Sequence, residues 1–162
     1  MVSESHTKRE FLRHTLATLA YRGAKTVQNA PPNFSTLLIE STSRTPVEIL
    51  AHCGDLLEWA LSIARGQTVW HDSPPLPWDR EVDRFFETLK QFDAYLSSDQ
   101  PLKNPPEKLF QGPIADALTH VGQIAQLRRI GDSPVRGENY FKAEIVAGRV
   151  GPDQSTHRAE FD

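Results

Sequence analysis

The chain has 162 residues, 38% hydrophobic and 24% charged, with a net charge of −3 at pH 7. That length suits one domain with a single core, the near balance of charge gives no nucleic-acid footprint, and no apolar run reaches membrane-spanning length. A lone cysteine, Cys53, excludes an internal disulfide, and the polar start MVSESHTKREFLRH has no signal-peptide core, so a cytoplasmic location is the expectation.

Four helices are expected in chain order. The first covers about residues 5–28, where Phe11, Leu12, Leu16, Leu19 and Val27 recur at helical spacing before Pro31-Pro32 ends it. Leu37-Leu38-Ile39 fits either a short extended piece or a helical turn. The second helix has the clearest start: Thr45 as N-cap, Pro46 at the first helical position and Glu48 completing a capping box. Ile49, His52, Leu56, Trp59 and Ile63 then step by three and four, which puts His52 on the apolar stripe, and Arg65-Gly66 closes the helix. A proline- and tryptophan-rich connection, QTVWHDSPPLPWD, follows. The third helix begins near Asp79 and carries Val82, Phe85, Phe86, Leu89, Phe92 and Leu96 in a 3.6-residue period. The fourth runs from Phe110 to Ile130, with Leu109, Ile114, Ala117, Val121, Ile124 and Leu127 as its stripe. Beyond Ile130 the chain is rich in turn formers; FKAEIVAGRVG suggests a short helix, and PDQSTHRAEFD reads as a frayed tail. Four amphipathic helices with no strand–helix alternation predict an all-α, four-helix bundle. The domain expectation is a single unit over 1–162, with a core of about 5–131 and a C-terminal extension of 132–162.

Candidate chemistry gathers on two of these helices. Asp116 and His120 stand four residues apart on one side of the fourth helix, so both can point at one spot. His52 lies inside the stripe of the second. A histidine alone on an apolar stripe is more often a hydrogen-bonded core residue than a ligand. Asp116 shifts that balance, because a carboxylate is costly to bury unpaired. His52, Asp116 and His120 together make a two-histidine, one-carboxylate set with open positions, suited to a catalytic or substrate-binding divalent metal. Two other readings stay open: Asp116 at the helix margin pairing with an arginine, and a metal-free hydrogen-bonded His–Asp network inside a non-catalytic ligand-binding bundle or dimeric interaction module. Cys53 points about 100° away from His52 and is expected in the core. No GxSxG, Walker or GxGxxG motif is present.

The segments HCGDLLEWAL and THVGQIAQLRRI resemble the DinB/YfiT-like superfamily of metal-dependent enzymes. That superfamily carries one histidine in its second helix and an H-x-x-x-H pair, followed by G-Q-[IL], in its fourth. His52 fits the first position, and His120, ahead of Val121-Gly122-Gln123-Ile124, fits the second histidine of the pair. Asp116 stands where the pair's first histidine is expected. The resemblance covers about residues 5–131. It implies up-down-down-up connections and a metal near one end of the bundle, held here by His52, Asp116 and His120, with zinc, nickel, iron or manganese as the candidates. It further implies a metal-dependent hydrolase or thiol S-transferase acting on a small-molecule substrate, with a low-molecular-weight thiol as co-substrate, and a homodimer that binds neither nucleic acid nor membrane.

Overall fold

The structure is a computed structural model that describes residues 4–161. It is all-α: α1 (Glu4–Val27), α2 (Pro46–Ala64), α3 (Trp78–Ser97), a short α4 (Pro106–Leu109) and α5 (Ala115–Ile130), with a 3-10 turn at Phe34–Thr36 and no strand among the described residues. α4 and α5 are joined without a break by a π-helical segment, Phe110–Ile114, so the chain forms four long rods.

Local chemistry explains the boundaries. Thr45 Oγ1 accepts from the Glu48 backbone N–H at 3.4 Å while Glu48 Oε2 accepts from the Thr45 N–H at 2.7 Å, which closes the expected capping box. α2 ends where Gly66 takes a positive φ of 83°, the left-handed conformation that glycine adopts at no steric cost. The π segment owes its form to Pro113, which has no N–H to donate four residues back. Ala115 N–H instead reaches the Phe110 carbonyl, five residues earlier. This inserts one residue into the turn just ahead of Asp116. It rotates everything downstream by roughly 100° relative to an unbroken helix.

The helices pack in a defined order. α1 runs opposite to α3: Arg13 Nε bonds Asp93 Oδ1 at 2.9 Å near one end, and at the other a Cβ on Gly23 would lie 2.6 Å from the Phe85 ring. α2 runs alongside α3, with Arg84 Nη1 on the Ala51 carbonyl at 3.2 Å and Tyr95 Oη on the Ala64 carbonyl at 3.4 Å. α5 runs opposite to α2 and alongside α1; Lys8 pairs with Glu107 at 2.9 Å, and Arg128 Nη1 donates to the Thr26 carbonyl at 3.0 Å. The core between them is built from Leu12, Leu16, Leu50, Leu57, Phe85, Phe92, Ile114 and Ile124, among others. Arg128 is 6% exposed and caps the end of α1 by donating to the Thr26, Gln28 and Asn29 carbonyls.

Three expectations need correction. Phe11, placed on the buried stripe of α1 by spacing, is 62% exposed. The segment after α5 holds no helix: Gly148 at φ 90° and the Gly151-Pro152 pair fold it into turns. The tail is not frayed over its described residues, 152–161, and residue 162 lies outside them. Lys25 on α1 bonds Glu138 Oε2 and Glu160 Oε1, each at 2.7 Å; Tyr21 Oη donates to Glu138; and Gln28 Nε2 donates to the Pro152 carbonyl at 2.9 Å. Leu37–Ile39, undecided from the sequence, carries no regular structure and follows the 3-10 turn. No helix among the described residues is long and apolar enough to cross a membrane.

The Lys25–Glu138 pair is nearly dry, with side-chain exposures of 7% and 0%. Burial by itself would raise the Glu138 pKa, but hydrogen bonds from Lys25, Tyr21 and the Ala159 N–H hold it below the usual carboxylate value. Burial opposes the Lys25 charge too, yet the two carboxylates keep its pKa raised. Glu138 therefore contributes stability that is present above the ordinary glutamate pKa of 4.5 and is lost as pH falls through its depressed folded value. Lys25 contributes below its ordinary 10.5 and loses that contribution as pH rises through its raised folded value. Lys25→Met leaves a buried carboxylate uncompensated and is expected to cost about 3 kcal/mol in urea unfolding. Adding Glu138→Gln should recover part of that loss; equal stability of wild type and Lys25→Met would contradict the strapped extension.

Candidate metal centre

His52 sits on α2, and Asp116 and His120 on α5, and the antiparallel apposition of these helices brings all three together. One ligand-type atom from each lies within 4.8 Å of the other two. The imidazole rings of His52 and His120 meet edge-to-face with centroids 4.7 Å apart. Both histidine side chains are mostly covered, at 19% and 13% exposed, whereas Asp116 at 47% stands at the margin of the stripe, closer to solvent than its spacing on the apolar side suggests.

The hydrogen bonding fixes how each group is presented. His120 Nδ1 lies 2.8 Å from the Asp116 backbone carbonyl. A carbonyl only accepts, so Nδ1 carries the proton and a neutral ring leaves its lone pair on Nε2. Burial, with the nearby His120 and Arg44 charges, pushes the His52 pKa below its ordinary 6.5, so that ring is neutral at neutral pH with a nitrogen free to ligate. The Asp116 carboxylate is 3.2 Å from His120 Nδ1 and 3.9 Å from His52 Nε2. The first lies at the long edge of the N–H···O range and the second beyond it. The three groups thus lie together, with one ring in loose contact with the carboxylate and the other apart from it. Ligands about 2.1 Å from a common ion sit 3.0–3.4 Å apart in tetrahedral or octahedral arrangement. The observed spread of up to 4.8 Å is wider than that, so binding an ion requires the side chains to draw together. Two imidazoles and a carboxylate fit a borderline divalent ion. Cys53, one residue from His52, does not join them: it is fully buried, and burial drives its thiol pKa up.

Sequence reasoning missed what stands behind the site. Asp55, one turn after His52 on α2, is 2% exposed. It accepts from the Ser73 N–H at 2.9 Å, from Ser73 Oγ at 2.7 Å and from Arg84 on α3. Burial would raise its pKa, but these donors hold it down. Arg84 also donates to Glu58 Oε1 at 3.0 Å and Glu81 Oε2 at 3.4 Å, and Glu81 accepts from the Leu76 N–H at 2.8 Å. The proline-rich connection between α2 and α3 is thereby pinned at Ser73 and Leu76. Its Trp70 ring packs edge-on against both His52, at 5.6 Å, and Trp59, at 5.8 Å. The signal was an aspartate on the stripe side of an apolar helix, the same signal that singled out Asp116.

Two clefts open on either side of the triad. One, about 180 Å³, is polar and includes Glu48, His52, Asp55, Asp72 and Ser73; the other, about 480 Å³, lies between the α2 start and α5 and includes Ile49, His120, Gln123 and Leu127. The apolar groove between Phe11 and Phe110 lies elsewhere, along α1 and α4, and contains none of the three candidate ligands. Comparison of the chain with models of protein families, with curated proteins and with solved structures found no match.

Asp55→Ala is expected to destabilise by about 3 kcal/mol, because it strands the Arg84 charge, and to open residues 67–77 to limited proteolysis. Ser73→Ala keeps the backbone donor and should cost about 1 kcal/mol. Unchanged protease resistance in Asp55→Ala would mean that this carboxylate does not anchor the connection.

Proposed function

We propose that the protein is a four-helix bundle with up-down-down-up connections, DinB/YfiT-like in kind, in which His52, Asp116 and His120 hold a divalent metal at which a small molecule reacts. The observation that carries this reading is the grouping of three ligand-type atoms, all within 4.8 Å of one another, at the meeting of α2 and α5. The helix directions described above support the connections.

The residues have separable tasks. His120 presents Nε2 because its Nδ1–H is committed to the Asp116 carbonyl. His52 is kept neutral by burial and held by Trp70. Asp116 supplies the anionic oxygen and, being half exposed, leaves the open side toward solvent. A divalent ion bound here supplies Lewis acidity, lowering the pKa of a water or thiol beside it toward neutrality. Hydrolysis and thiol transfer to a small molecule are the reaction classes that suit this chemistry. A cytoplasmic location, expected from the polar start of the sequence, and a homodimeric state, implied by the resemblance, belong to the same proposal. The metal-free alternative needs the carboxylate bonded to both rings, and the 3.9 Å from Asp116 to His52 Nε2 leaves that second bond unmade.

Metal analysis of protein purified without a histidine tag tests the reading. Incubation with zinc, nickel, manganese or iron should leave close to one ion per chain, and His120→Ala should lower affinity on the order of 100-fold or more with the helical circular dichroism unchanged. Metal content near zero with all four ions would refute it.

A further inference from the structure

Arg44 lies just ahead of the α2 N-cap and is the one residue that lines both clefts beside the triad. Among the described residues it makes no hydrogen bond or ion pair, although its charge acts on both Glu48 and His52. Glu48, the nearest candidate partner, is already committed: its Oε2 accepts from the Thr45 N–H and Thr45 Oγ1, each at 2.7 Å. A guanidinium is a planar fork that matches a carboxylate with two parallel hydrogen bonds. Here the fork is unused and stands beside a candidate reaction centre.

The larger cleft says what else such an anion carries. Ile49 from α2 and Leu127 from α5 give it an apolar floor, while Gln123 and Gln126 add amides that donate and accept. The charge environment sets the head group. The first-turn donors of α2 are partly consumed by the capping box, the Glu48 carboxylate shares the smaller cleft with Arg44, and Asp116 lies beside His120. One arginine among acids balances a monoanion; a phosphate dianion needs more donors than this cleft has. The volume of about 480 Å³ falls in the range of small-molecule sites.

We propose that Arg44 is the specificity-determining residue of this site, binding the carboxylate of a small amphipathic monoacid whose apolar part lies on Ile49 and Leu127 beside His120. The description of that acid as a substrate rests on the proposed metal function; the carboxylate site itself does not. Arg44 is exposed and supports no packing, so its replacement leaves the fold intact.

The experiment is a titration of uniformly ¹⁵N-labelled full-length protein, stripped of metal with EDTA, with sodium hexanoate and separately with 1-hexanol, followed by two-dimensional NMR. Hexanoate should give saturable shifts at Ile49 and at the side-chain amides of Gln123 and Gln126, at least tenfold tighter than 1-hexanol. Arg44→Gln should weaken hexanoate at least tenfold and leave 1-hexanol unchanged, with Arg44→Lys in between. Hexanoate binding equal in wild type and Arg44→Gln, hexanoate no tighter than 1-hexanol, or no saturable shift at those residues would each overturn the assignment. Zinc uptake, measured on the same preparations, separates the two ideas. Arg44-dependent hexanoate binding without zinc uptake refutes the metal centre and keeps the carboxylate site, and zinc uptake without hexanoate binding does the reverse.

Discussion

The burial of α2 is the constraint on which the rest of the molecule depends. Leu50, Ala51, Cys53, Leu56, Leu57, Ala60, Leu61 and Ala64 leave this helix almost no wet face. Every polar group on it must therefore find a partner inside the protein or face a cleft. Asp55 meets that demand by binding Arg84 of α3 and Ser73 of the connection, which fixes α2 against α3 and folds the proline-rich segment back over the helix. His52 meets it differently. It turns to the margin where α2 meets α5, packed by Trp70 and facing His120 and Asp116. The site is the place where a buried helix has a polar group that the surrounding helices do not satisfy.

The second contributor to the site is the π segment. Pro113 denies the chain one α-helical bond, and the extra residue absorbed in that turn resets the rotation of α5 just before Asp116. His120 then comes against His52, and Asp116 is left on the rim with its backbone carbonyl holding His120 Nδ1. A continuous α-helix through Pro113 would aim the same two side chains elsewhere. π-helical turns recur at functional sites because they re-aim a few residues without breaking the rod. The electrostatics follow from the same placement, with His52 neutral and the Asp116 carboxylate beside both rings.

How much of this was legible in the sequence follows the range of the interactions. Local rules read well. The Thr45–Glu48 capping box, the Gly66 stop, the Phe85–Phe92 stripe and the place of Cys53 in the core all depend on neighbours within a turn or two. His52, Asp116 and His120 could be named because helical spacing exposes a polar residue on an apolar side. Phe11 misled because spacing gives a face but not whether another helix covers that face, and near the start of α1 none does. The extension misled for the opposite reason. Lys25 is 113 residues from Glu138 and 135 from Glu160, and no local pattern announces such a pair. Pro113 was visible, but a helix that begins near it and a longer rod that passes through it as a π turn look alike in periodicity.

The central claim is that His52, Asp116 and His120 converge on one divalent ion. An anomalous difference map at the zinc edge, from crystals of the untagged protein grown with zinc, tests it most directly. The expected result is a single strong peak about 2.0–2.2 Å from His52 Nε2, His120 Nε2 and an Asp116 carboxylate oxygen. A featureless map at that point, with Asp116 bonded directly to the imidazoles near 2.8 Å, would contradict it.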